Sequence, residues 1–214
     1  MSETLLSDSA ASPEQLSKIE RSLSVDPGNL RLFNDCAALA LRLEDYEALL
    51  RTANTRLRLH PTDLAAVSAR AQALLAKGEL GHAAAELEKV AVARPTDPAA
   101  QQDLGFCYYS QGEFEWAREP LETALQLGER GAGLLRLLIS TWRHLGLLAK
   151  AEALAATNTG VAETDAGLAG VFALLYLDLR RGGEASAWAE RALALDAANE
   201  DALTVERRLA SSEH

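Results

Sequence analysis

The sequence has 214 residues, 48% apolar and 24% charged, the balance of a soluble chain that buries a core. Ala and Leu supply 80 of them, Val and Ile nine, and aromatics 5%, which excludes a β-rich fold because strands draw on β-branched and aromatic side chains. A formal charge of −10, with a pI near 4.9, repels phosphate backbones and anionic lipid, so neither nucleic acid nor a membrane surface is expected as a partner.

From the N-terminus, residues 1–11 are small and polar apart from Leu5 and Leu6, and read as a disordered tail. Acid stands where a secretory signal needs base, and no apolar stretch follows. The longest wholly apolar run, from Val171 to Leu177, is far short of the ~20 residues that span a bilayer. A cytoplasmic protein is expected. Ser12-Pro13 through Val25 then predicts a lone capping helix over 12–26.

A period of 34 residues follows, first visible in Pro27, Pro61 and Pro95. It divides the chain into units 30–63, 64–97, 98–131, 132–165 and 166–199, without insertion or deletion. Each unit holds two helix-length stretches with apolar residues at i, i+3, i+4 and i+7. Position 8 of the units is Ala37, Ala71, Gly105, Ile139 and Ala173, mostly small, as two closely crossing helices require. Position 11 is Ala40, Leu74, Tyr108, Trp142 and Tyr176, and position 20 is Leu49, Ala83, Ala117, Ala151 and Ala185. Gly78, Gly112 and Gly146 at position 15 give the freedom a tight αα turn needs. Asn29 and Asp97-Pro98 supply helix starts. Residues 200–210, with Glu206, Arg207 and Arg208, read as a C-terminal capping helix with a polar outer face. Residues 12–214 thus form one repeat domain in this reading.

The stretch from Leu104-Gly105 through Tyr108, Gly112 and Ala117, followed by Leu121, Ala124 and Leu125, resembles the tetratricopeptide repeat (TPR) consensus. That resemblance implies an all-α, right-handed α-solenoid of antiparallel helix pairs, about a dozen helices in all. It also implies a non-enzymatic module that binds a peptide or helix of a partner protein along the first helices of its repeats.

Three departures stand out. Asn158, Thr159 and Gly160 replace apolar residues, so the second helix of unit 132–165 is expected to stop near Thr157, with a loop to Thr164. Pro120 falls inside the second helix of unit 98–131 and is expected to kink it. In the last unit the glycines shift to Gly182 and Gly183, which predicts a longer first helix.

No catalytic constellation emerges. His60, His82, His144 and His214 occupy unrelated positions, and no metal-binding, nucleotide-binding or nucleophile motif appears. Cys36 and Cys107 read as buried free thiols. No cofactor or metal is expected. Positions 2, 5, 9, 12 and 13 of each first helix share one face, the concave face in the implied fold. The TPR subclass that clamps a chaperone's C-terminal carboxylate needs Lys and Asn at set positions; this chain offers Asn34, Ala38, Ala69, Ala99 and Asp103. The peptide-binding candidates are Asn34 and Gln72, then Phe106, Tyr109, Arg136, Leu137, Arg143 and Leu174. Gly133, Gly167 and Gly170 beside them leave room for a ligand backbone. Phe106 and Tyr109 with the flanking arginines suit an amphipathic helix or apolar peptide. An assembly or secretion-type chaperone is one form of that reading. A homo-oligomeric scaffold, its groove filled by its own tail or a neighbouring subunit, is the alternative.

Overall fold

Five times the chain must end one helix and start the next within three residues, and one backbone device does it. Position 15 takes a left-handed conformation in every unit: Glu44 (φ 54°), Gly78 (75°), Gly112 (79°), Gly146 (70°) and Arg180 (59°). The following N–H then reaches the carbonyl five residues back, from Asp45 to Ala40, Glu79 to Leu74, Glu113 to Tyr108, Leu147 to Trp142 and Arg181 to Tyr176, at 2.8–2.9 Å. The left-handed residue's own N–H closes the shorter loop, as Gly78 does to Leu75 at 3.0 Å. This is the Schellman arrangement, which satisfies carbonyls that a helix end leaves unpaired.

The computed structural model describes residues 11–212, and among these it is helical with no strand. The chain divides into two compact units, Met1–Ala93 and Arg94–His214. The first holds α1 (Pro13–Val25), α2 (Leu30–Arg42), α3 (Tyr46–Leu59), α4 (Leu64–Ala76) and α5 (Leu80–Ala93). The second holds α6 (Pro98–Ser110), α7 (Phe114–Gln126), α8 (Ala132–His144), α9 (Leu148–Ala156), α10 (Thr159–Ala162), α11 (Ala166–Asp178), α12 (Gly182–Leu195) and α13 (Glu200–Ser212). Within each unit successive helices pack on one another apart from α9 and α10, and α8, α9 and α13 also pack on α11. The predicted tail, with Leu5 and Leu6, lies outside the described residues apart from Ala11. Helices α2, α4, α6, α8, α11 and α13 are called A helices below, and α3, α5, α7, α9 and α12 B helices.

The A helices start at a 34-residue interval because their caps do. The N-cap positions are Asn29, Asp63, Asp97, Gly131, Asp165 and Asn199. All but Gly131 accept a backbone N–H of the first turn on a side-chain oxygen, for example Leu168 N–H to Asp165 at 2.7 Å. In the first unit Asp63 does more. Its second oxygen takes the Arg56 guanidinium at 2.7 Å, and Arg56 also donates to the Gly28 carbonyl at 2.6 Å, tying the end of the first repeat to the turn that precedes it.

Side-chain volume is traded between helices of a pair. A Cβ on Gly105 would lie 2.5 Å from the Leu121 side chain, so α6 and α7 cross where only glycine fits. At the same two positions of the next repeat, Ile139 and Ala155 are fully buried, with the bulk moved to the A helix. The core of the second unit runs from Leu121 through Leu134, Leu135 and Leu138 to Leu168 and Phe172, all with no exposure.

Three sequence expectations meet the structure here. Helix α9 ends at Ala156, close to the expected stop, because Asn158 and Thr157 side chains take the Leu154 carbonyl at 2.8 and 3.0 Å. The loop that follows contains a further turn, α10, which buries Ala162. Helix α7 passes through Pro120 without ending, although the ring removes the N–H that would meet the Trp116 carbonyl. The longer first helix expected in the last unit is corrected: α11 has the same 13 residues as α2, α4, α6 and α8. Arg180 adopts the left-handed turn in place of glycine, and Gly182 and Gly183 open α12.

A side chain in the left-handed region costs about 1–2 kcal/mol, part of which glycine gives back through its freer unfolded chain. Glu44→Gly should therefore raise stability by about 0.5–1 kcal/mol, read as a higher urea midpoint, whereas Glu44→Ala should give no gain.

Candidate functional site

Side chains at positions 2, 5, 9, 12 and 13 of an A helix point to one side, since successive residues turn by 100°. In the second unit α6, α8, α11 and α13 pack in series, and their shared face shows two rungs. In the first, position 5 of one helix meets position 2 of the next. A Cβ at Gly133 would sit 3.6 Å from Gln102 Nε2, and one at Gly167 would sit 2.6 Å from Arg136 Nη1. At the last step Gly170 faces Asn199 and Asp201, with Asn199 Oδ1 2.5 Å from the position a Cβ would take. Asn199 also donates to the Ala166 carbonyl at 3.0 Å while capping α13, so it fastens the terminal helix to α11. Gly167 and Gly170, expected to leave room for a ligand backbone, are thus filled by this chain's own side chains.

In the second rung, position 12 meets position 13 of the next A helix. Tyr109 and His144 have ring centroids 6.4 Å apart, and Phe114 stacks on His144 at 4.0 Å with an interplanar angle of 6°. Burial and the adjacent Arg143 hold the His144 imidazole below its usual pKa, against the pull of Asp178. One step on, Arg143 donates through Nε and Nη2 to Asp178 Oδ2 at 2.9 and 2.8 Å. The pair is largely shielded, with side chains 12% and 27% exposed.

Between the rungs lies position 9: Phe106, Ser140, Leu174 and Arg208. Phe106 is 41% exposed, Ser140 is buried, and Leu174 is half-buried against the α11–α13 cluster. Burial raises the Asp201 carboxyl above its usual range, opposed by Arg143 and Arg136. Arg136 is exposed and forms no ion pair within 4 Å among the described residues. Leu137 is buried in the core of the unit, and Tyr109 packs on Phe114. Asn34 and Gln72 lie on α2 and α4 of the first unit, exposed and half-buried respectively. The structure therefore brings Phe106, Tyr109, Arg136, Arg143 and Leu174 onto one face, with Phe106 and Arg136 its open members. No group of His, Cys, Asp and Glu able to hold a metal occurs among the described residues.

No protein-family model and no curated protein matches the sequence. Solved structures do match. YrrB, a TPR protein with an unusual peptide-binding site, superposes with a TM-score of 0.71 at 16% identity, over 92% of this chain and 100% of that one. The type IV pilus biogenesis factor PilW gives 0.73 at 20% identity, over 90% and 89%. A thermophilic TPR protein from Thermus thermophilus gives 0.59 at 24% identity, over 82% and 94%. The fold is the tetratricopeptide repeat.

The sequence pattern places the binding candidates on one A-helix face but does not mark its internal partners Gln102, Asp178, Asn199 and Asp201. A signal for one of them was present: Arg143–Asp178, like Tyr109–His144, is spaced one residue beyond the repeat, which places the two side by side on neighbouring A helices.

Loss of either member of the Arg143–Asp178 pair leaves a poorly hydrated charge. Arg143→Ala and Asp178→Ala should each lower stability by about 1–3 kcal/mol, and a double-mutant cycle should return a coupling of about 1 kcal/mol.

Asp103, beside this face on α6, is pushed up to about 6 by burial and by the charge of Asp97. A carboxyl raised on folding favours the folded state below its unfolded value, and that contribution is lost as pH rises from about 4 through 6. Asp103→Asn should thus stabilise the chain by roughly 1–3 kcal/mol at pH 7.5 and by almost nothing at pH 4, in paired thermal melts.

Proposed function

We propose that the chain is a non-enzymatic protein-interaction module that takes a peptide or helical segment of a partner protein on the A-helix face of its C-terminal unit. The observation that carries this reading is the contrast along that face. Most of its large and charged side chains are committed to neighbours, yet Phe106 is 41% exposed and Arg136 has no ion pair among the described residues. An aromatic side chain and a free guanidinium on a rigid surface are the anchor types that dominate interfaces. Phe106 and Leu174, flanking the small Ser140, suit an apolar anchor, and Arg136 suits a carboxylate or carbonyl next to it. The peptide-binding site named for YrrB supports the same kind of use.

An assembly or secretion-type chaperone is the specific form of this proposal. Its support is the likeness to PilW, a pilus biogenesis factor, at 20% identity. Such a chaperone would shield an apolar segment of a subunit before assembly.

The test is capture of a partner by the tagged full chain in its native host, read by mass spectrometry. Phe106→Ala with Arg136→Ala should lose the captured protein, with circular dichroism unchanged and the melting temperature within about 2 °C, since both residues are exposed. Capture of the same protein by the double variant at full yield would remove the A-helix face from consideration. Recovery of the chain's own copies alone would mark that face as a self-association surface.

A further inference from the structure

The second unit carries another exposed aromatic, on a B helix and away from the A-helix face. Trp116 on α7 is 66% exposed, the most exposed Phe, Tyr or Trp among the described residues. It occupies position 19, where the other repeats have Ala48, His82, Lys150 and Glu184, so the repeat pattern itself asks for no large apolar group there. The Tyr108 ring lies 6.3 Å away, tilted at 37° to the indole. Three residues before and three after Trp116, on the same side of the helix, stand Glu113 and Glu119, both exposed. Neither forms an ion pair within 4 Å among the described residues, while the nearby Arg118 is turned to Glu115 at 3.8 Å. Glu113 is also the N-cap residue of α7, yet its side chain makes no capping hydrogen bond.

We infer that this surface docks a basic segment of a partner protein, with an Arg or Lys side chain lying over the Trp116 indole between the carboxylates of Glu113 and Glu119. The chemistry is complementary in two ways. The face of an indole attracts a cation through its quadrupole, more strongly than any other side chain ring. Two unpaired carboxylates beside it add charge-assisted hydrogen bonds to the same guanidinium or ammonium. A second copy of this chain is a poor occupant, because 31 acidic residues against 21 basic ones make copies repel.

The probe is an acetylated, amidated peptide with three arginines separated by glycines, alongside versions with lysine and with glutamate. Fluorescence anisotropy of the labelled peptide is measured on the full chain at physiological salt. The arginine and lysine peptides should bind, and the glutamate peptide at least about tenfold more weakly. Trp116→Ala should weaken arginine-peptide binding about tenfold, Trp116→Phe less, and Glu113→Gln with Glu119→Gln about fivefold with a shallower salt dependence. Phe106→Ala with Arg136→Ala should change nothing here, which separates this surface from the A-helix face. Wild-type affinity in Trp116→Ala would reduce the effect to diffuse attraction by an acidic protein and overturn the inference. So would the absence of measurable binding by the arginine peptide.

Discussion

The left-handed residue at position 15 governs this structure. It fixes where each A helix stops and, through the two Schellman hydrogen bonds, where each B helix begins. Displacing that stop by one residue would turn the following side chains by about 100° and send core positions to solvent. Because the turn is the same five times, α2, α4, α6, α8 and α11 all have 13 residues. The repeated register is what lets position 8 of one helix and position 24 of its pair exchange volume, glycine against Leu121 in one repeat and Ile139 with Ala155 in the next.

The same register builds the face on which function is proposed. With A helices in step, position 5 meets position 2 and position 12 meets position 13 of the next helix, so two rungs form from unrelated chemistry. Gln102 beside Gly133 and Arg136 across Gly167 make one; Tyr109 with His144 and Arg143 with Asp178 make the other. A surface braced this way is rigid before a partner arrives, which lowers the ordering cost of binding. The bracing also limits what is left to bind. Arg143 is committed to Asp178, whereas Arg136 forms no ion pair among the described residues.

The sequence made the period and the helix pairs legible, because burial enforces apolar spacing and sterics enforce small residues at crossings. It hid features that depend on neighbours rather than on residue type. Arg180 and Glu44 carry no mark of a left-handed turn, since the backbone there is dictated by the hairpin and not by a glycine. Gly182 and Gly183 look like that turn and are instead the start of α12. Gly167 and Gly170 looked like vacant ground for a ligand, and only the neighbouring Arg136 and Asn199 reveal that their space is taken. Asn29 and Asp97 were legible as N-caps, and Asp63, Asp165 and Asn199 continue the same 34-residue step, broken once by Gly131.

Local pairing of charge narrows where a partner can dock on this acidic chain. Much of the second unit's basic charge is matched locally: Arg118 by Glu115, Arg143 by Asp178, Lys150 by Glu122, and Arg181 by Glu152 and Glu184. Matched pairs on a surface add little to binding, because each partner must first be released or left in place. Among the charges without such a match, three stand beside exposed aromatic rings. Arg136 stands on the face that carries Phe106, and Glu113 and Glu119 stand on either side of Trp116. Unpaired charge of opposite sign at the two places gives the A-helix face and the α7 surface opposite preferences. A partner that offered an acid-flanked apolar segment to one and an arginine to the other would hold the unit at two points, and each contact would raise the effective concentration of the second.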